Sequence, residues 1–303
     1  MKRSGPPVAS APRCDVSVIV PSYRPGRYLF DCLRSLCNQR TSYAYEVIVV
    51  DSSPDDITLE VKRQFPQVRV LHLGERAYPG VARNAGIAQA QGEVLAFTDA
   101  DCIVPPDWIE RIMESQKRGM TVVGGPVGNG TPDSLLGTAQ LLLEFNSFQA
   151  DRGGIRTVEV LPTCNVAYHR TLFQHRQGFD NAIKGSDSVF SRSLAKEGVK
   201  LFLLPDVRIL HRNCTTWDGF LRNQFQLGIG SALTRRRLTL RDSFVIRTPL
   251  FALSIPLART VAISYRLLRW SPMNFVRFVL LYPLIFLGLV VFSAGFVRGL
   301  RLK

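Results

Sequence analysis

Two aspartates one residue apart, Asp99 and Asp101, end the apolar run Val94-Leu95-Ala96-Phe97-Thr98. On extended backbone, residues i and i+2 project to one side. Both carboxylates therefore leave the carboxyl end of a buried strand together. Two carboxylates in one cleft repel each other unless a cation offsets the charge, and hard oxygen donors suit Mg²⁺ or Mn²⁺. Two further apolar runs end in polar groups: residues 16–20 (VSVIV) in Pro21, Ser22 and Tyr23, and residues 47–50 in Asp51.

Helices must hold those strand ends in place. Apolar residues recur at helical spacing at 29, 30, 33, 36 and 37. A second periodic stretch follows Asp55 and Asp56, a third runs from Gly80 to Gly92, and a fourth starts at Pro105-Pro106-Asp107. The alternation of strand and helix predicts an α/β fold with a mostly parallel sheet flanked by helices. In such sheets ligands bind beyond the carboxyl ends of the strands, where Ser22, Tyr23, Asp51, Asp99 and Asp101 converge. No Gly-x-Gly-x-x-Gly follows the first strand and no P-loop motif occurs, which excludes a standard dinucleotide or P-loop site.

Charge is unevenly placed. Residues 1–205 carry 23 Lys+Arg and 21 Asp+Glu (+2), and residues 206–303 carry 15 and 3 (+12). The basic third is also the most apolar, which favours an anionic membrane surface over nucleic acid. The six cysteines show no zinc spacing and fit a reducing cytoplasm. Residues 1–15 are rich in Pro, Ser and Ala and read as a flexible tail.

The segments VSVIVPSY, YEVIVVDSSPDD, GVARNAGIAQAQGEVLAFTDADC, TCNVAYHR and GFDNAIKGSDSVFSRSLAKEG, in that order, resemble a family 2 inverting glycosyltransferase of the GT-A fold. The resemblance covers residues 16 to about 211. It implies a nucleotide-diphosphate sugar donor, Mn²⁺ or Mg²⁺, and inversion at the anomeric carbon. It implies metal ligation by Asp101 and by Asp99, with a ribose contact as the alternative for Asp99. His211 resembles a further metal ligand of some GT-A enzymes, or is a structural histidine at a strand end. Pro21, Ser22, Tyr23, Asp51 and Arg83 match the nucleotide side. Asp51, accepting from an imide N–H, favours a uridine-type base, although Ser52 stands where the family commonly has a second acid. Asp187 matches the general base, with Ser186 in place of the usual Glu before it. Thr163, Cys164, Asn165 and Trp217 fall on the acceptor side. The Gln-x-x-Arg-Trp motif of processive members is absent.

Residues 278–297 carry no charge over a length sufficient to cross hydrocarbon. Residues 248–265 are a shorter apolar run interrupted by Arg259. One or two crossings would each place a basic cluster outside, against the positive-inside tendency. A half-embedded arrangement keeps Arg235, Arg236, Arg237 and Arg241 on anionic headgroups. The expected organisation is a tail (1–15), a GT-A catalytic domain (16–240) and a membrane-associated segment (241–303), with the catalytic domain on the cytoplasmic side of the cell membrane. The expected function is transfer of a sugar to a hydroxyl of a lipid-linked or glycan acceptor. The alternative is a non-catalytic membrane scaffold or nucleotide-sugar sensor, motivated by Ser52 and Ser186.

Overall fold

A computed structural model describes residues 14–149, 153–181, 185–238 and 249–302. The start of the tail, Arg241 and the expected boundary at 240/241 lie outside the described residues. At the centre is an eight-stranded sheet in the order β3-β2-β1-β4-β9-β6-β10-β8. Its strands are β1 (Val16–Ser22), β2 (Tyr45–Asp51), β3 (Arg69–His72), β4 (Val94–Thr98), β6 (Val122–Gly124), β8 (Arg156–Val158), β9 (Asn165–His169) and β10 (Leu201–Leu203). β1 pairs in parallel with both β2 and β4, and β2 with β3. The sheet is mixed beyond β4, because β9 runs antiparallel to β4 and β6.

The alternation of side chains along each strand builds a core on both faces. Val18 and Val20 of β1 pack on one side with Leu29 and Leu33 of α1 (Tyr28–Cys37) and Trp108 of α4 (Trp108–Lys117). Ile19 faces the other side, with Ala82 of α3 (Pro79–Gln89) and Phe190 and Leu194 of α6 (Ser186–Lys196). α2 (Thr58–Gln64) links β2 to β3. Both faces are filled, so the strands read as near-continuous apolar runs. A second sheet of three short strands, β5 (Cys102–Ile103), β11 (Ile209–His211) and β7 (Val127–Asn129), lies just past the Asp-x-Asp.

The C-terminal helices are α7 (Trp217–Arg237), α8 (Ile255–Trp270), α9 (Pro272–Leu280) and α10 (Tyr282–Arg301). The uncharged stretch 278–297 is not one helix, because the chain turns at Leu281 ahead of Pro283, which suits a first helical turn. α10 alone among the described helices is long and apolar enough to cross a membrane, by length and composition. Its inner face packs on α7. A methyl on Gly295 would lie 2.0 Å from the Phe225 carbonyl oxygen, and one on Gly228 would lie 2.0 Å from that of Phe292. Glycine therefore sets the approach of the two backbones. Leu142 and Leu143 of α5 (Leu135–Glu144), Phe220, Ile263, Leu267, Ile285 and Leu289 form one further core. The opposite face of α8 presents Leu257, Val261, Tyr265 and Leu268 to the outside, each more than half exposed.

Candidate active site

Two clefts, of ≈ 400 Å³ and ≈ 380 Å³, meet beyond the carboxyl ends of β1 and β4 and share Pro79 and Asp99 in their walls. The first is lined by Pro21, Ser22, Tyr23, Ser52, Arg76, Tyr78, Asp101 and Gln226. The second is lined by Arg83, Glu144, Thr163, Cys164, Ser186, Asp187, Arg192 and His211, and reaches Arg235, Arg259 and Phe292.

Asp101 and His211, far apart in sequence, come together through the small sheet. Antiparallel pairing of β5 with β11 sets His211 opposite Cys102, and the Arg212 amide donates to the Asp101 carbonyl at 2.9 Å. His211 Nε2 lies 3.5 Å from Asp101 Oδ1, and Nδ1 lies 3.0 Å from Asn213 Oδ1. Asn213 Oδ1 can only accept, so Nδ1 donates to it, and Nε2 is the ring nitrogen turned toward Asp101. Among the described residues, Asp101, Cys102 and His211 are the one group of three whose donor atoms gather closely enough to hold a metal ion. Burial, together with Cys164 and the two aspartates, pushes the Cys102 thiol well above its usual range. Of the three donors, the Asp101 carboxylate oxygen is the hard one that suits Mn²⁺ or Mg²⁺, and the His211 nitrogen suits first-row transition metals.

Asp99 has a different partner. Arg83 Nη2 donates to Asp99 Oδ1 at 2.6 Å, with the arginine side chain only 4 % exposed. The charge of Asp99 is thus already offset within the protein. Arg83 Nε is buried with no hydrogen-bond partner among the described residues. The α3 motif around Arg83 holds this arrangement. Gly86 packs on Ile19 and Val50 of the sheet, and Gly80 meets the Asp180 carbonyl. Asn84 exchanges two hydrogen bonds with the Phe179 backbone, 2.7 and 2.9 Å long. α3 therefore fixes the chain that leads toward α6.

Asp187 sits in the first turn of α6, where the helix dipole favours a negative charge. Its Oδ1 accepts from the Ser188 amide at 2.7 Å. Gly185 enters the helix with φ +92°, and a methyl there would meet Thr234 Oγ1 of α7 at 2.5 Å. Ser186 and Asp187 face the second cleft with Thr163 and Cys164.

Three of the expected site residues lie outside the walls of the two clefts. Asp51 is fully buried behind the first cleft and is absent from its lining. Its carboxylate accepts from Ser22 Oγ at 2.9 Å and Ser53 Oγ at 2.8 Å, and faces His72 Nδ1 at 3.2 Å. Both carboxylate oxygens of Asp51 thus have partners within the protein. Asn165 is likewise fully buried. It takes the Trp108 indole N–H at 2.9 Å and donates to the Val207 carbonyl at 2.7 Å, which pins β9 rather than an acceptor. Trp217 is 57 % exposed at the start of α7 and lines neither cleft.

Other lining residues went unassigned in the sequence. The Arg76 guanidinium lies 4.7 Å from the Tyr23 ring centre and 5.9 Å from that of Tyr78. No motif marks Arg76, Glu144 or Gln226. The signal for Arg259 was present, as a lone charge interrupting an apolar run.

The comparisons agree with this geometry. The profile of glycosyl transferase family 2 matches residues 17–176, over half of the chain. Glycosyltransferase AglE of Haloferax volcanii is 30% identical over 240 residues, covering 76% of this chain and 78% of that protein. Glycosyltransferase GlyG of Streptococcus pneumoniae is 35% identical over 115 residues, covering 36% of this chain and only 38% of its own length. Among solved structures, a mannosyltransferase from Pyrobaculum calidifontis in complex with GDP-Man and Mn²⁺ superposes with a TM-score of 0.63 at 19% identity, over 95% of this chain and 88% of that one. TarS of S. aureus in complex with UDP-GlcNAc gives 0.52 at 16% identity, over 94% and 90%. With a GT-A-like sheet, an Asp-x-Asp at its carboxyl edge and these relatives, the chain belongs to glycosyl transferase family 2 and is a glycosyltransferase.

Proposed function

We propose that the protein is a metal-dependent, inverting glycosyltransferase that moves a sugar from a nucleotide-diphosphate donor to a hydroxyl presented at a membrane. The observation that carries this reading is the meeting of the two clefts at Asp99, with Asp101 on one side and Asp187 on the other. The first cleft takes the donor. Tyr23 and Arg76 offer flat faces to the base, and Ser22 and Ser52 offer hydroxyls. Asp51 acts from behind, fixing Ser22 and Ser53. A uridine-type base, expected from Asp51, is the first choice in a donor panel. Asp99, held by Arg83, faces the ribose or diphosphate side.

Asp101 and His211 would hold the cation, which supplies charge neutralisation to the departing diphosphate. Asp187 accepts the proton of the acceptor hydroxyl as its oxygen attacks the anomeric carbon. The new C–O bond forms as the bond to the diphosphate breaks. The electron pair leaves with the nucleoside diphosphate, and attack from the opposite face inverts the centre.

The apolar outer face of α8 and α9 and the basic C-terminal third support a half-embedded position on the cytoplasmic leaflet, with residues 16–240 catalytic and 241–303 membrane-associated. The boundary between them would be one of function, since α7, α8 and α10 share a core.

The test is release of nucleotide from a panel of UDP- and GDP-sugars by detergent-solubilised protein with Mn²⁺, beside Asp101→Ala and Asp187→Asn. Release from one donor, lost in both variants while Asp187→Asn still binds it, is the expected result. Donor binding without turnover, even with membrane lipid added, would instead favour a nucleotide-sugar sensor.

A further inference from the structure

His211 reaches Asp101 with its other ring nitrogen already engaged, by groups that the reaction as derived does not use. Parallel pairing of β11 with β7 sets His211 beside Asn129. Asn213, only 2 % exposed, hydrogen-bonds to both side chains.

The direction of these bonds follows from their fixed ends. The Thr131 backbone N–H can only donate, and it meets Asn129 Oδ1 at 2.9 Å. Asn129 therefore turns its oxygen to Thr131 and its Nδ2 to Thr138 Oγ1 of α5, 2.9 Å away. The same Oδ1 accepts from Asn213 Nδ2 at 3.4 Å. The His211 carbonyl, which can only accept, also takes Asn213 Nδ2, at 3.3 Å. Two acceptors thus hold the Asn213 amide one way round. Its Oδ1 is left for the imidazole, 3.0 Å from Nδ1.

A neutral imidazole has one N–H. Placed on Nε2, that hydrogen would serve Asp101 Oδ1, 3.5 Å away, and the two groups would satisfy each other. Spent on Asn213, it leaves a bare Nε2 facing a carboxylate oxygen. Two acceptors so placed repel, and a divalent cation between them relieves both.

We propose, resting on Asp101 and His211 as the ligands of the cation, that Asn213 is a positioning residue. Oriented by Asn129, Thr131 and the His211 carbonyl, it holds the ring in its Nδ1–H form and keeps Nε2 and Asp101 open to the metal. Removing such a partner of a metal-ligating histidine typically costs about ten- to a hundredfold in metal affinity.

The full-length protein in neutral detergent is titrated with Mn²⁺ alone. Continuous-wave EPR counts the free ion, and pulsed EPR reads nitrogen coupling to the bound one. The parent should show imidazole coupling that is lost in His211→Gln. Asn213→Leu keeps nearly the same volume but removes the acceptor, so Nε2 takes the hydrogen and pairs with Asp101. It should bind Mn²⁺ at least about tenfold more weakly, with the nitrogen coupling lost. Asn213→Asp, which restores an acceptor for Nδ1, should regain the coupling, as added negative charge alone would not. If Asn213→Leu fails to fold, Asn129→Ala carries the test, with affinity lowered about threefold, the worth of one ordinary hydrogen bond. Affinity and coupling unchanged in Asn213→Leu, or coupling absent from the parent, overturns the proposal. So does Asn213→Asp behaving as Asn213→Leu does, which would make the role one of packing. Nucleotide release by the parent keeps this outcome apart from that of the reaction. Mn²⁺-dependent release with Mn²⁺ binding indifferent to Asn213 overturns the positioning role and leaves the reaction. Binding that depends on Asn213, with release indifferent to Mn²⁺, does the reverse.

Discussion

Replacing Gly80 with alanine tests whether α3 positions Asp187, the proposed base. The added methyl would lie 2.1 Å from the Asp180 carbonyl oxygen and 3.4 Å from Ser186 Cβ. Ordinary contact needs about 3.4 Å, so the Asp180 backbone must retreat by roughly 1.3 Å. It cannot slide freely, because Asn84 holds the neighbouring Phe179 backbone through two hydrogen bonds and Arg237 pairs with the Asp180 carboxylate. Part of the shift therefore passes to Ser186 and Asp187. Misplacing a catalytic group by about 1 Å costs on the order of 10²-fold in rate, or about 2.7 kcal/mol in barrier. Overpacking itself costs about 1–3 kcal/mol of stability, partly offset by the better helix propensity of alanine. The assay is nucleotide release at a temperature well below the melting point, with donor affinity measured by calorimetry. We expect kcat to fall about 10²-fold and donor affinity to change less than about threefold. Gly154→Ala, with open space around the new methyl, serves as the silent control. A Gly80→Ala protein with kcat within about twofold of the parent and an unchanged melting point would refute the reasoning, because the rate loss follows from the displacement.

Four further outcomes rest on the same kind of packing and pairing. Arg83→Met leaves Asp99 without its partner. Because Asp99 is 31 % exposed, the loss should be about 1–2 kcal/mol, below the usual cost of breaking a buried pair, and read as a lower melting point with weaker donor binding. Arg83→Lys should recover little of it, lacking the guanidinium fork. Gly295→Ala should lower the melting temperature by an amount equivalent to about 1–3 kcal/mol through its clash with the Phe225 carbonyl, and no change would mean that α10 does not pack on α7. Burial works to raise the pKa of Asp31, but Arg212 and Arg34 outweigh it and hold the carboxyl below its ordinary value of 3.8. Its contribution is complete above that value and is lost as pH falls through the lower, folded one. Thermal scans should thus show the parent losing up to about 1 kcal/mol more than Asp31→Asn on acidification below about pH 4. Finally, Leu257→Asp combined with Val261→Asp should reduce flotation with phosphatidylglycerol vesicles, and undiminished flotation would remove α8 from the membrane face.

The sequence by itself determined the central sheet and the acids at its edge. The apolar runs 16–20, 47–50 and 94–98 have no polar face, so burial on both sides was their one stable solution, and the polar groups after them had to gather at the carboxyl ends. Asp101 was singled out by an Asp-x-Asp after a strand, and Asp187 by the resemblance of the segment that opens its helix. Tertiary structure decided the rest, because it turned on partners distant in sequence. Asp51 and Asn165 look like ligand-facing polar residues in any local reading. They proved to be buried and satisfied, by Ser22, Ser53 and His72 in one case and by Trp108 and Val207 in the other. His211 becomes a neighbour of Asp101 only through the pairing of β11 with β5. The apolar C-terminus could have been a free membrane span by composition alone. Glycines at Gly228 and Gly295 instead let α7 and α10 approach to backbone contact, and that packing brings α8, with Arg259, to the second cleft.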